Sequence, residues 1–201
     1  MNAHDKSELL RQEIGKYDHL FATNECYNAN EQHPRYDIAE QFLARCGDVR
    51  LVVDIGAGRG LFLERLRKKG YQVFGVEPSR VVLETLKSPF VVFGACNEIP
   101  YASELFDVVF CLDVLEHIPD ALTSDSLREL SRVTKGHAIV SVADHEDVVE
   151  GLVLHVNLRS YPDWEQCISN YFEILDRELL HSKTYPDRSA MVYLCRKRPM
   201  L

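Results

Sequence analysis

The chain has 201 residues, 46% of them apolar and 27% charged, with a net charge of −8 and a pI near 5.5. That length suits one domain with a sizeable core, and the acidity argues against non-specific binding to nucleic acid or to an anionic membrane. No apolar run approaches the ~20 residues of a membrane span, and the polar start Met1-Asn2-Ala3-His4-Asp5-Lys6 does not read as a signal peptide.

Six cysteines (Cys26, Cys46, Cys96, Cys111, Cys167 and Cys195) are scattered with no Cys-x-x-Cys pair. They predict reduced thiols, a cytoplasmic setting and no zinc site. In chain order, Lys6 to Leu20 predicts a helix with Leu9, Leu10, Ile14 and Tyr17 on a partial apolar stripe. Phe21 to His33 is polar and reads as a loop. Pro34 opens a second helix, as proline does at a first helical position. Ile38, Phe42 and Leu43 would face a sheet, and Gly47 ends that helix.

Leu51-Val52-Val53-Asp54-Ile55 is too short for a buried helix and rich in β-branched residues, which predicts a buried parallel strand. Gly56-Ala57-Gly58-Arg59-Gly60 follows at once, and then a helix carrying Phe62, Leu63 and Leu66, with Gly70 at its C-cap. Strand, glycine turn and helix place a ligand beyond the carboxyl end of the strand. The dinucleotide fingerprint G-x-G-x-x-G is not met, because Leu61 stands where its third glycine belongs. Asp54 would repel a pyrophosphate and accept from a cationic amino group. The stretch Val53-Asp54-Ile55-Gly56-Ala57-Gly58-Arg59-Gly60 resembles motif I of the class I methyltransferases that use S-adenosylmethionine. The resemblance implies that Asp54, Gly56, Ala57, Gly58 and Gly60 surround that cofactor, with S-adenosylhomocysteine as its product.

A second strand, Tyr71 to Glu77, ends in an acid followed by Pro78. Glu77 stands at about the spacing from the turn at which Rossmann-like folds place a carboxylate on ribose hydroxyls. The bland alternative is a solvated acid opening the next helix. Pro89 to Gly94 is a third strand. Many methyltransferases of the class carry an acid directly after it for the adenine amino group; here Ala95 stands there. The backbone of Ala95 and Cys96, or the Asn97 side chain, is then expected to serve the adenine.

A fourth strand runs from Leu105 to Asp113. Phe106-Asp107-Val108-Val109 and Asp113-Val114-Leu115-Glu116-His117-Ile118-Pro119 resemble motif II and its loop in small-molecule methyltransferases of the same class. That places Leu112, Asp113, Val114 and His117 beside the reacting end of the cofactor. Asp120 to Val133 reads as a helix, Gly136 to Ala143 as a fifth strand, and Asp144-His145-Glu146-Asp147 as a polar loop at its carboxyl end. Pro162 to Asn170 reads as a short helix. Tyr171 to Leu180 and Ala190 to Cys195 read as the last two strands, joined by a loop holding Tyr185-Pro186-Asp187-Arg188.

The expected fold is α/β: a Rossmann-like seven-stranded mixed sheet in the order 3-2-1-4-5-7-6, strand seven antiparallel, with helices on both faces. Residues 1–47 would form an N-terminal helical cap that contributes to the substrate site, and residues 48–201 the methyltransferase domain, one compact unit overall. The resemblance implies methyl transfer in which alignment supplies most of the barrier reduction. A hydroxyl acceptor also needs a base, and histidine is the usual one near neutral pH. His145 and His155 are the candidate catalytic residues, with Asp113, Asn157 and Arg159 brought toward the same mouth.

No Asn-Pro-Pro-Tyr, Asp-Pro-Pro-Tyr or Pro-Cys occurs where enzymes acting on nucleic-acid bases carry them. The expected partner is therefore a small-molecule acceptor, without nucleic acid or membrane, for a monomer or homodimer. A sugar or metabolite hydroxyl is the first reading. The alternatives are a carboxyl or amine of a small metabolite, or a non-catalytic S-adenosylmethionine-fold binding protein.

Overall fold

A computed structural model describes residues 3–25, 27, 29–30, 32–182 and 188–199. Cys26 and the loop residues Tyr185, Pro186 and Asp187 lie outside them. The strands are β1 (Leu51–Ile55), β2 (Gln72–Glu77), β3 (Val91–Phe93), β4 (Phe106–Leu112), β5 (Thr134–Ala143), the short β6 (Val148–Val149) and β7 (Leu152–Val153), then β8 (Phe172–His181) and β9 (Ser189–Lys197). The helices are α1 (Ala3–Thr23), α2 (Pro34–Leu43), α3 (Leu61–Lys68), α4 (Arg80–Leu86), α5 (Thr123–Val133) and α6 (Tyr161–Ser169).

Seven strands form one sheet in the order β3-β2-β1-β4-β5-β9-β8. Strands β1 to β5 pair in parallel and β9 runs antiparallel to both neighbours, so the expected order holds. Successive side chains of a strand point to opposite faces, and β1 feeds two cores. Val53 and Ile55 pack with Leu127 and Leu130 of α5 and with Trp164 and Ile168 of α6. Val52 packs with Ile38 and Phe42 of α2 and with Phe62 and Leu66 of α3. Phe62 holds this second layer together, stacking on Tyr36 at 4.8 Å and meeting Phe110 edge-on at 5.0 Å.

Two local features differ from expectation, and one adds to it. The helix expected from Asp120 begins at Thr123, and Asp120–Leu122 forms a separate 3₁₀ turn after Pro119. The stretch after the fifth strand is a hairpin of β6 and β7, turned by Glu150 (φ +52°) and Gly151 (φ +79°). Positive φ at both central residues is the type I′ geometry that matches strand twist; two residues per strand leave no period to read. Finally, α1 is tied down at both ends. Lys6 pairs with Asp125 of α5 at 2.7 Å, and Asp18 accepts from the Ser79 hydroxyl, the N-cap of α4, at 2.6 Å. No helix among the described residues is long and apolar enough to cross a membrane.

Candidate active site

At the carboxyl end of β1, Asp54 is 4% exposed, and among the described residues no donor reaches its carboxylate. Burial lifts its carboxyl to about 7, against the pull of nearby Arg35. The amides of Gly56 and Ala57 both bond to the Val76 carbonyl, at 2.8 and 3.1 Å. Gly56 has φ +78°, and a Cβ there would stand 2.5 Å from Cγ2 of Val114. Only glycine lets the turn pass under that side chain.

Gly58 donates its amide to Glu77 Oε2 at 2.7 Å, and Ser79 donates to Oε1 at 2.8 Å. Burial raises Glu77 to about 7, with those two amides opposing it. Gly60 caps α3 at φ +73°, tight against Leu86 of α4. Arg59 donates to the carbonyls of Tyr27 at 2.8 Å and Asn24 at 3.1 Å, so the glycine turn holds the segment that follows α1. Beyond β3, Ala95 bridges to Glu98, and the Cys96 thiol lies 4.0 Å from that of buried Cys111. Oδ1 of Asn97 is buried without a partner.

The end of β4 forms the second wall. Asp113 takes φ +54°, a conformation that costs energy outside glycine and clusters at functional sites. Ser141 of β5 fixes it from both sides, accepting the Asp113 amide at 2.8 Å and donating to Oδ1 at 2.5 Å. The other oxygen of Asp113 pairs with Arg35 of α2, whose Nε is buried and unpartnered.

Leu115–His117 is a 3₁₀ turn. Glu116 is fully buried; Oε1 accepts from the Ala143 amide at 2.9 Å and Oε2 has no partner. Burial raises this carboxyl to about 7. The His117 Nδ1 lies 2.6 Å from the Tyr17 hydroxyl and 3.2 Å from the Leu154 carbonyl. Burial, then the neighbouring His155, pushes its pKa down to about 3. His155 stands edge-on to His117 at 4.7 Å and is lowered by burial. His145 follows β5, its Nδ1 at 3.1 Å from the Ser189 carbonyl.

These two walls enclose a cavity of about 900 Å³. Of the residues expected from the sequence, Asp54, Gly56, Ala57, Leu112, Asp113, His117, His145 and His155 line it. Gly58, Gly60, Glu77, Pro78, Ala95, Cys96 and Val114 lie outside that lining, on or beside the carboxyl ends of β1 to β4.

Two expectations are corrected. Asn157 is 3% exposed and its amide is spent on the Leu115 carbonyl and the Thr123 hydroxyl. Arg159 pairs with Asp120, bonds Asn157 and lies over Trp164. Both brace the loop, and neither lines the cavity. The sequence reading missed Arg35, Glu116, Tyr17 and Tyr27. Arg35 follows Pro34 on an ordinary amphipathic helix, and Glu116 was visible only as part of a motif. The scattered cysteines predicted no zinc site, whereas the fold brings one ligand atom each of Glu116, His117 and His155 within 4.8 Å of one another.

Residues 53–142 match the family model of the methyltransferase domain. That stretch is similar to a methyltransferase domain. A ubiquinone biosynthesis O-methyltransferase from Alkalilimnicola ehrlichii is 28% identical over 70% of this chain and 60% of its own. The chain spans between three-tenths and six-tenths of the length of the curated relatives it matches.

In fold it is similar to the 1,6-didemethyltoxoflavin-N1-methyltransferase of Burkholderia thailandensis, at a TM-score of 0.76 and 17% identity over 99% of this chain and 92% of that one. It is also similar to the magnesium protoporphyrin IX methyltransferase of Synechocystis, at a TM-score of 0.67 and 18% identity over 84% of each. The cofactor of the domain is S-adenosylmethionine, and the acceptors left over in the fold fit it. Asn97 Oδ1 is a buried acceptor without a donor and Asp54 is a buried carboxyl lining the cavity, and the cofactor brings an adenine amino group and an ammonium.

Proposed function

We propose that this protein methylates a hydroxyl of a small polar acceptor, such as a sugar or another metabolite. S-adenosylmethionine supplies the methyl group from its sulfonium and leaves as S-adenosylhomocysteine. The observation that carries the reading is the shared cavity, which His145 and His155 line together with Asp54, Gly56 and Ala57 of the glycine turn. The O-methyltransferase name of the curated relatives supports the same acceptor chemistry.

Each residue has a role in this reading. Asp54 accepts from the ammonium of the cofactor, and Gly56, Ala57, Gly58 and Gly60 let its methionine part lie against bare backbone. Glu77, beside Pro78, accepts from the ribose hydroxyls. The backbone of Ala95 and Cys96, with Asn97 Oδ1, receives the adenine amino group. Leu112, Val114 and His117 pack along the cofactor, and Asp113 and Arg35 set the polar end. His145 takes the acceptor's proton, with His155 beside it. The helical cap, residues 1–47, closes the substrate side with Tyr17, Tyr27 and Arg35. The free thiols among the described cysteines support a cytoplasmic setting, and the enzyme acts as a monomer or homodimer.

The test is a screen of metabolite extracts with S-adenosylmethionine labelled with ¹³C at its methyl, read by NMR. A labelled O-methyl carbon is the expected product. A labelled N-methyl carbon, or none in a protein that binds the cofactor, overturns the acceptor assignment.

A further inference from the structure

We propose that Glu116, His117 and His155 bind a divalent transition-metal cation at the floor of the cavity. The three sit up to 39 residues apart along the chain, yet one ligand atom of each lies within 4.8 Å of the other two. All three line the same cavity.

Each side chain is held by one of its polar atoms and left with the other. Glu116 Oε1 accepts from the Ala143 amide, while Oε2 is buried with no partner at all. His155 turns its Nδ1 to the His145 carbonyl at 2.5 Å. His117 has its Nδ1 between the Tyr17 hydroxyl and the Leu154 carbonyl. This is the arrangement in which outer hydrogen bonds orient metal ligands. The mount is also stiff. The Glu116 carbonyl accepts from the amides of both Val156 and Asn157 at 3.0 Å, which stitches the His155 segment to the turn that carries the other two ligands.

An unpartnered, fully buried carboxylate oxygen is expensive, and a cation between it and two imidazoles removes that cost. Two imidazoles and one carboxylate suit zinc, iron(II) or cobalt(II), and leave coordination positions open. Magnesium and calcium favour oxygen ligands throughout. Bond lengths of about 2.0–2.2 Å require the ligand atoms to draw in by roughly 1 Å on binding. The open positions face the cavity, where the oxygen of an acceptor would coordinate and be favoured as its anion. In that role the cation rests on the methyl-transfer reading and makes His155 a ligand, leaving His145 to take the proton. Whether the cation binds does not rest on it.

The test is calorimetric titration of the chelator-treated protein with Zn²⁺, and with Co²⁺ followed by its visible absorption. One equivalent per chain is expected, with a spectrum of imidazole-bound cobalt, and far weaker binding of Mg²⁺. Glu116→Gln and His155→Ala should each weaken Co²⁺ binding at least about tenfold. S-adenosylmethionine affinity, measured alongside, should stay within twofold and shows that each variant is folded. The site is overturned if the parent protein binds S-adenosylmethionine but neither Zn²⁺ nor Co²⁺, or if both variants hold Co²⁺ as the parent does. Metal binding without S-adenosylmethionine binding would instead remove the methyl-transfer reading and leave the site standing.

Discussion

The Nδ1 of His155 lies 2.5 Å from the main-chain carbonyl oxygen of His145. A carbonyl has no proton to give, so Nδ1 carries it and Nε2 keeps a lone pair. The two rings stand 5.1 Å apart. A backbone atom of one histidine thus fixes the ring of the other. Replacing the His145 side chain leaves that carbonyl in place, so the two residues can be tested separately.

His145→Ala should lower turnover on the true acceptor by roughly 10²–10⁴-fold, the usual range for a general base. S-adenosylmethionine affinity, read by calorimetry, should not change. If His145→Ala and His155→Ala both keep full turnover, a histidine base is excluded.

The buried carboxyls predict an acid–base signature. Asp54 and Glu77 are each raised by burial to about 7, above the usual value of about 4. A raised carboxyl stabilises the free protein below that usual value, and the contribution is lost as pH rises through about 7. The urea midpoint of the free protein should therefore fall between about pH 5 and about pH 8. Cofactor affinity should move the other way, because hydroxyl and ammonium donors need the ionised acids. Calorimetry in two buffers should show proton release near neutral pH, smaller in Glu77→Gln. A pH-independent dissociation constant would contradict these roles.

Arg35 is held by Asp113 and presents an unpartnered Nε at the cavity. S-adenosylmethionine brings one carboxylate to the same end as the glycine turn. Arg35→Ala should cost cofactor binding about 1.5–3 kcal/mol, the range for a hydrogen bond to a charged group. Arg35→Lys should recover only part, since an ammonium lacks the planar fork. Unchanged affinity in Arg35→Ala would assign the guanidinium to the acceptor or to structure alone.

Gly56→Ala should destabilise the fold by about 1–3 kcal/mol, through positive φ and overpacking. The added methyl meets Cγ2 of Val114 at 2.5 Å. Val114→Ala in the same chain should restore part of the loss and leave the φ contribution. Denaturant midpoints of the two single variants and the double variant measure the coupling; strict additivity would show that the contact carries no cost.

The sequence by itself determined the sheet and the glycine turn at its carboxyl end. Leu51–Ile55, Phe106–Leu112 and their neighbours are apolar runs whose period and glycine punctuation are local properties. The Asp54 to Gly60 turn is continuous in the chain, so its ligand chemistry could be read from adjacent residues. The histidine side of the cavity was decided by tertiary structure. Tyr17, Arg35, Glu116 and His155 come from α1, α2, the turn after β4 and the segment after β7, and no spacing links them. Asn157 and Arg159 looked as available as His155 in sequence. The fold turned Asn157 to Thr123 and Arg159 to Asp120, and left His155 facing the cavity. Local periodicity fixes which residues become strands and helices; which polar side chains are consumed in bracing loops depends on partners that only packing supplies.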